Sequence, residues 1–193
     1  ELRCGLPMSP REQIYLGVKT GVSLAVFVAS VGLSQRAEAH LLPANHGTVN
    51  LVDKSAFSVL SVPTSALTNV DDNHDGWVDM TELQRHEAQI RDEIDHRFVI
   101  TDGETSGVTV RIDLVLSPQH DAASDRADQI VALTHTQFTA PPTQVRVHCD
   151  LYGNRDSDRE LSIHATRVHN TEKQGETAVL SPGAPEHSFF RPV

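Results

Sequence analysis

Apolar and polar residues alternate over most of the chain, and a period of two predicts strands half buried in a core. His46–Val52 and residues 56–62 both alternate and meet at Asp53-Lys54, a polar break that reads as a hairpin turn. Residues 98–101 end at Asp102-Gly103, a dipeptide suited to a tight turn. Val108, Val110, Ile112, Leu114 and Leu116 alternate with Thr109, Arg111, Asp113 and Val115, the cleanest strand pattern in the chain. Residues 130–138, 144–152, 160–168 and the shorter 177–180 follow at similar spacing. Pro141-Pro142 separates two of them, because proline gives no N–H to a ladder. Strands at this spacing with turn residues between them predict a mostly β fold, an antiparallel β-sandwich.

One stretch departs from this pattern. From residue 63 to about 96 the periodicity is helical. Leu83, Ile90 and Ile94 stand at i, i+7 and i+11 on one face, with Gln84, Arg85, Glu87, Gln89, Arg91 and Asp92 opposite. A helical unit is therefore expected as an insertion between strands.

The first 39 residues read as an address. A thirteen-residue uncharged run, Gly21 to Leu33, follows Arg11 and Lys19 and precedes Ala37-Glu38-Ala39. A basic lead, a short apolar core and small residues at an A-x-A site predict an export signal cleaved before His40, leaving 40–193 as the mature domain in the periplasm or outside the cell. An uncleaved anchor is the other reading, although the run is short of the roughly 20 apolar residues that a span needs.

Charge narrows the function classes. The 193 residues carry 16 basic and 26 acidic side chains, a net −10. Residues 1–39 hold four basic and three acidic ones, so residues 40–193 carry 12 and 23, a net −11. An acidic domain with 5% aromatic residues argues against nucleic-acid binding, which uses a basic stripe or stacking rings. Of the two cysteines only Cys149 lies beyond the leader, on the apolar side of an alternating run, so a buried core residue is expected.

The chemistry concentrates in twelve residues, 71–82, reading DDNHDGWVDMTE. Calcium is a hard cation that takes six to eight oxygens, and this spacing supplies them. Asp71, Asn73 and Asp75 offer side-chain oxygens at positions 1, 3 and 5. Gly76 at position 6 allows the sharp turn. Trp77 offers its backbone carbonyl, Asp79 a carboxylate directly or through water, and Glu82 two oxygens from the outgoing helix. Four carboxylates in so short a loop repel one another without an ion, so the empty loop is expected to be the least stable part of the domain. Val78, at position 8, should find a backbone partner outside the loop.

These residues resemble the EF-hand calcium-binding family over about residues 63–96, and the resemblance implies a helix-loop-helix with Ca2+ as its ion. More loosely, Ala39-His40-Leu41-Leu42-Pro43 followed by strands, one such loop and further strands resembles the extracytoplasmic N-terminal region of HupE/UreJ-type bacterial membrane proteins. That resemblance implies a link to metal transport, with a membrane protein or a second copy as partner.

Other constellations carry less. His40 as a new N-terminus could chelate copper or nickel through its amine and ring, with His46 or His148 as a further ligand, which is the alternative function, a transition-metal accessory domain. His86-Glu87-Ala88-Gln89-Ile90 lacks the second histidine of a zinc-protease helix. Residues 117–128 read as a solvated acidic loop, and 154–160 as a hairpin turn or a weak second calcium site. No nucleophile elbow, phosphate loop or dinucleotide fingerprint is present, so the expected function is non-enzymatic: an exported calcium-binding protein with a structural ion.

Overall fold

Most of the alternating segments pair as sheet strands in the computed structural model, which describes residues 43–117, 125–169 and 171–191. The expected leader and its cleavage site lie outside those residues. In chain order the strands are β1 (His46–Val52), β2 (Ser55–Pro63), β3 (Val78–Asp79), β4 (Phe98–Asp102), β5 (Thr105–Ser106), β6 (Val108–Ser117), β7 (Arg126–Ala127), β8 (Gln129–Gln137), β9 (Val145–Cys149), β10 (Leu161–His169), β11 (Glu172–Leu180) and β12 (Glu186–Ser188). One α-helix, α1 (Met80–Arg97), stands among them.

The strands form a six-stranded sheet in the order β11-β10-β1-β2-β8-β6, a four-stranded sheet β12-β9-β4-β5, and a two-stranded ribbon β3-β7. The turns at Asp53-Lys54 and Asp102-Gly103 form as expected, and Gly103 supplies the positive φ of 58° that the second requires. The expectation of a purely antiparallel arrangement is corrected at one place. β1 runs parallel to β10, with Val49 opposite Ala165, so the larger sheet is mixed. The connection at 154–160 is also not a hairpin. It carries the chain from β9 in one sheet to β10 in the other, through a 3-10 turn at Asp156–Asp158.

Both sheets and the helix share one core. Val49, Leu60, Ile130 and Ile163 come from the larger sheet, Ile100, Val147 and Cys149 from the smaller, and Leu83, Ile90 and Ile94 from α1. The three helix residues are those whose spacing predicted the buried face. Burying them contributes roughly 5–9 kcal/mol before entropy is charged against it. Asp79 caps the N-terminus of α1, and His96 and Arg97 lie in its last turn, where cations suit the helix dipole.

The incoming helix expected after residue 63 does not form. Residues Thr64–Ala66 make a single 3-10 turn, and 67–77 are irregular. Thr64, Ser65, Thr68, Asn69 and Val70 are poor helix formers, and eight residues are too few to overcome the cost of nucleation.

Cys149 is fully buried, and burial pushes its thiol up to about 12. In a Cys4→Ser background we expect a thiol reagent at pH 8 to label the native protein at least about a hundredfold more slowly than the denatured chain. Equal rates would place Cys149 at the surface.

Candidate metal centre

The loop 71–82 is held at both ends before its own residues act. Buried Leu67 and Val70 anchor the incoming arm. Polar side chains of α1 tie down the same arm. The Thr68 N–H donates to Glu93 Oε1 at 3.2 Å, Arg97 Nη1 donates to the Ala66 carbonyl at 2.6 Å, and Gln89 Nε2 donates to the Thr68 carbonyl. Hydrogen bonds from one helix thus replace the packing of two.

Inside the loop, acidic and amide oxygens gather backbone N–H groups. Asp71 Oδ1 accepts from Asp75 N–H at 3.2 Å and Oδ2 from Gly76 N–H at 2.8 Å. Asn73 Oδ1 accepts from Asp75 N–H at 2.9 Å, and Asp75 Oδ1 from Trp77 N–H at 2.9 Å. Gly76 turns the chain at φ 84°, a value open to glycine at no steric cost. Each such oxygen keeps a second lone pair, so accepting an N–H leaves it able to ligate.

At the outgoing end Asp79 and Glu82 form a capping box. Asp79 Oδ1 accepts from Glu82 N–H at 2.9 Å, and Glu82 Oε2 accepts from Asp79 N–H at 3.0 Å. The other Glu82 oxygen, Oε1, accepts from Asp72 N–H at 3.0 Å, at the start of the loop. One carboxylate therefore bridges the two ends. Glu82 is 5% exposed, and among the described residues no Lys, Arg or His side chain pairs with it.

Val78 has the outside partner that its position called for. It pairs with Ala127 of β7, Asp79 pairs with Arg126, and both Val78 and Ala127 are fully buried. This ribbon fastens the loop to the segment leading into β8. Two residues are too short to show alternation, so in sequence 126–127 read as part of a solvated loop.

The loop's charges are partly matched from outside. Arg126 Nη1 donates to Asp75 Oδ2 at 2.8 Å, and that bond is the main cause holding the Asp75 carboxyl below its ordinary pKa. Asp72, not an expected ligand, is bonded by His86 Nε2 at 2.9 Å and by Arg85, and the His86 bond chiefly lowers its pKa. Arg126 escaped the sequence reading because it lies 51 residues from Asp75 with no motif linking them. Its cation pairs with an oxygen of one of the expected ligands. If the loop takes the expected calcium ion, Arg126→Gln should tighten its binding about fivefold at low salt, with the gain shrinking at high salt. Titrations at two ionic strengths check this.

Among the described residues no three His, Cys, Asp or Glu side chains already form a gathered ligand set. In the loop those oxygens are turned to its own N–H groups, and two of the six expected donors, the Asn73 amide and the Trp77 carbonyl, are of other types. Of the alternative histidine site only part is described. His40 lies outside the described residues, His46 is on β1 and His148 on β9, in different sheets. Of the three carboxylates in the acidic connection 154–160, one is given to an arginine: Asp158 Oδ2 accepts from Arg155 Nε at 2.8 Å.

No family model and no curated protein matches the chain. Among the described residues no helix is long and apolar enough to cross a membrane.

Proposed function

We propose that residues 71–82 bind one calcium ion and that the chain is an exported, non-enzymatic calcium-binding protein, the ion serving a structural role. Asp71, Asn73 and Asp75 would hold it through side-chain oxygens, Trp77 through its carbonyl, and Asp79 and Glu82 through carboxylates. The observation that carries the reading is Glu82. A buried carboxylate with no cationic side-chain partner is costly, and a divalent ion is the counter-charge that its setting lacks. The donor set is all oxygen and rich in carboxylates, which suits calcium; magnesium demands stricter octahedral geometry and sheds water reluctantly. On this reading the unit is an EF-hand-like loop with one helix, its incoming helix replaced by a tethered arm, set in a β-sandwich made by the two sheets.

The test is calorimetry joined to Trp77 fluorescence, Trp77 being the single tryptophan. We expect one site with a Kd on the order of 10⁻⁴ to 10⁻³ M, as in extracellular modules, and a fluorescence change that chelator reverses. No heat of binding and no change at Trp77 with 10 mM calcium would end the proposal.

A further inference from the structure

A second feature lies outside the calcium loop. A cleft of about 790 Å³ opens where the ends of β1, β10 and β11 meet the Pro141-Pro142 segment. Leu51, Pro142 and Phe190 give it apolar walls, and Arg167 and Arg191 line it as well. A smaller chamber of about 410 Å³ is lined by Arg146 and Ser188 and again by Phe190 and Arg191. Phe190 and Arg191 thus stand between the two.

Three features set this cleft apart from the rest of the surface. The first is charge. Residues 40–193 carry a net −11, yet three guanidinium groups line the two chambers, and among the described residues Asp53 is the one acid lining either, with Glu176 close enough to Arg191 to feel its charge. Arg146 is half-buried on β9 and, among the described residues, has neither a carboxylate partner nor a side-chain hydrogen bond. A guanidinium offers five donors in a planar fork that matches a carboxylate or a phosphate.

The second is rigidity. Phe190 sits at φ 57°, a conformation that a bulky residue adopts only when its surroundings force it. Here they do. Its N–H donates to Glu176 Oε2 at 2.7 Å, and the other Glu176 oxygen is bonded to His187 Nε2 at 2.9 Å. The Arg167 guanidinium lies over the Phe190 ring at 4.5 Å and is steadied by Gln174 Oε1 at 2.8 Å from Nε. Strain held by converging contacts marks a preformed surface. The third is size, since both chambers fall within the range of small-molecule sites, roughly 300–1,000 Å³.

We propose that this cleft binds a small organic anion, with an apolar body against Leu51, Pro142 and Phe190 and a carboxylate or phosphate held by Arg146 and Arg191. The larger chamber joins apolar walls to Arg167 and Arg191, and Arg191 is shared with the smaller chamber that holds Arg146, so the acidic end of the ligand lies on the Arg191 side. The site shares no residue with 71–82, so it stands or falls apart from the calcium reading.

The test uses the full chain and ¹⁹F NMR with three probes of one shape: 4-(trifluoromethyl)benzoate, 4-(trifluoromethyl)phenyl phosphate and the neutral 4-(trifluoromethyl)benzamide. We expect at least one anion to bind about tenfold or more tighter than the amide, equally with calcium and with chelator. The tighter of the two anions identifies the acid group, and inorganic phosphate should compete if phosphate is the one favoured. Arg146→Gln and Arg191→Gln should each weaken the preferred anion about tenfold with an unchanged Tm. Arg191 is exposed, so its variant keeps the test open if Arg146→Gln fails to fold. Equal binding of anion and amide, or unchanged affinity in the folded arginine variants, overturns the proposal.

Discussion

Glu82→Gln should remove most of the response to calcium while leaving the fold standing. Glutamine keeps the length of the side chain and is accepted at the third helical position of a capping box, so α1 still starts at Met80. What disappears is one negative charge and one of two oxygens. On the proposed reading that removes half of a bidentate ligand, and we expect about a hundredfold loss of affinity, about 2.7 kcal/mol. The free protein feels two opposed effects. A buried charge becomes a neutral amide, which is favourable. Against it, either Asp72 N–H or Asp79 N–H loses its acceptor, at a cost of about 1–3 kcal/mol. The variant in chelator should therefore melt a few degrees lower. The decisive readout is the difference between calcium and chelator. The wild type at a hundred times its Kd gains about 2.7 kcal/mol, or roughly 5–10 °C in Tm for a domain of this size. The variant at the same calcium concentration should gain less than about 2 °C. If both proteins show the same increment, Glu82 only caps the helix.

What could be read from residues alone was the local part of this molecule. His46–Val52 was placed to the residue, because Val49 and Leu51 face the core and polar side chains alternate with them. The loop's turn was also legible, since Gly76 and the oxygens around it act within five residues of one another. The cleanest alternating segment misled in one respect. β6 is an edge strand, and a bulge between Thr109 and Arg111 shifts its register, so Ile112 is buried while Val108 and Val110 stay exposed. Alternation reports that a face could be buried; the partner strand decides whether it is. β11 was read too short for the opposite reason. Its first half, Glu172 to Glu176, is polar on an edge that needs no apolar face, yet it pairs with β10 throughout.

The remaining differences are long-range. Nothing in the sequence of β1 names β10 as its parallel neighbour, more than a hundred residues away. The lost incoming helix depends on Glu93 and Arg97 being present to satisfy the backbone that a helix would have satisfied itself. Arg126 reaches Asp75 because β7 pairs with β3. In each case a local preference was weak and a distant partner decided the outcome. The loop is the exception, because its chemistry is carried by neighbours in sequence.

The same long-range logic makes Arg155 a side chain whose loss should destabilise the fold. Its Nε donates to Asp158 Oδ2 at 2.8 Å and its Nη2 to Asp128 Oδ2 at 2.9 Å. The two carboxylates are almost closed to water, 2% and 6% exposed, while Arg155 itself is half exposed. Asp128 also receives, through its backbone carbonyl, the Thr64 N–H at 2.9 Å and the Thr64 hydroxyl at 3.2 Å. One guanidinium therefore joins the β9–β10 connection to the start of β8 and, through Thr64, to the arm that enters the loop 71–82. Arg155→Met keeps the packing of the stem and leaves two buried negative charges without it. Removing one partner of a fully buried pair costs about 3–5 kcal/mol; with Arg155 reachable by water we expect about 2–3 kcal/mol, or a Tm lower by roughly 5–10 °C. Adding Asp158→Asn to Arg155→Met should recover more than half of the loss at pH 7. Denaturant melts of the three proteins measure both effects, and a deficit that Asp158→Asn does not reduce would mean that Arg155 acts by packing rather than by charge.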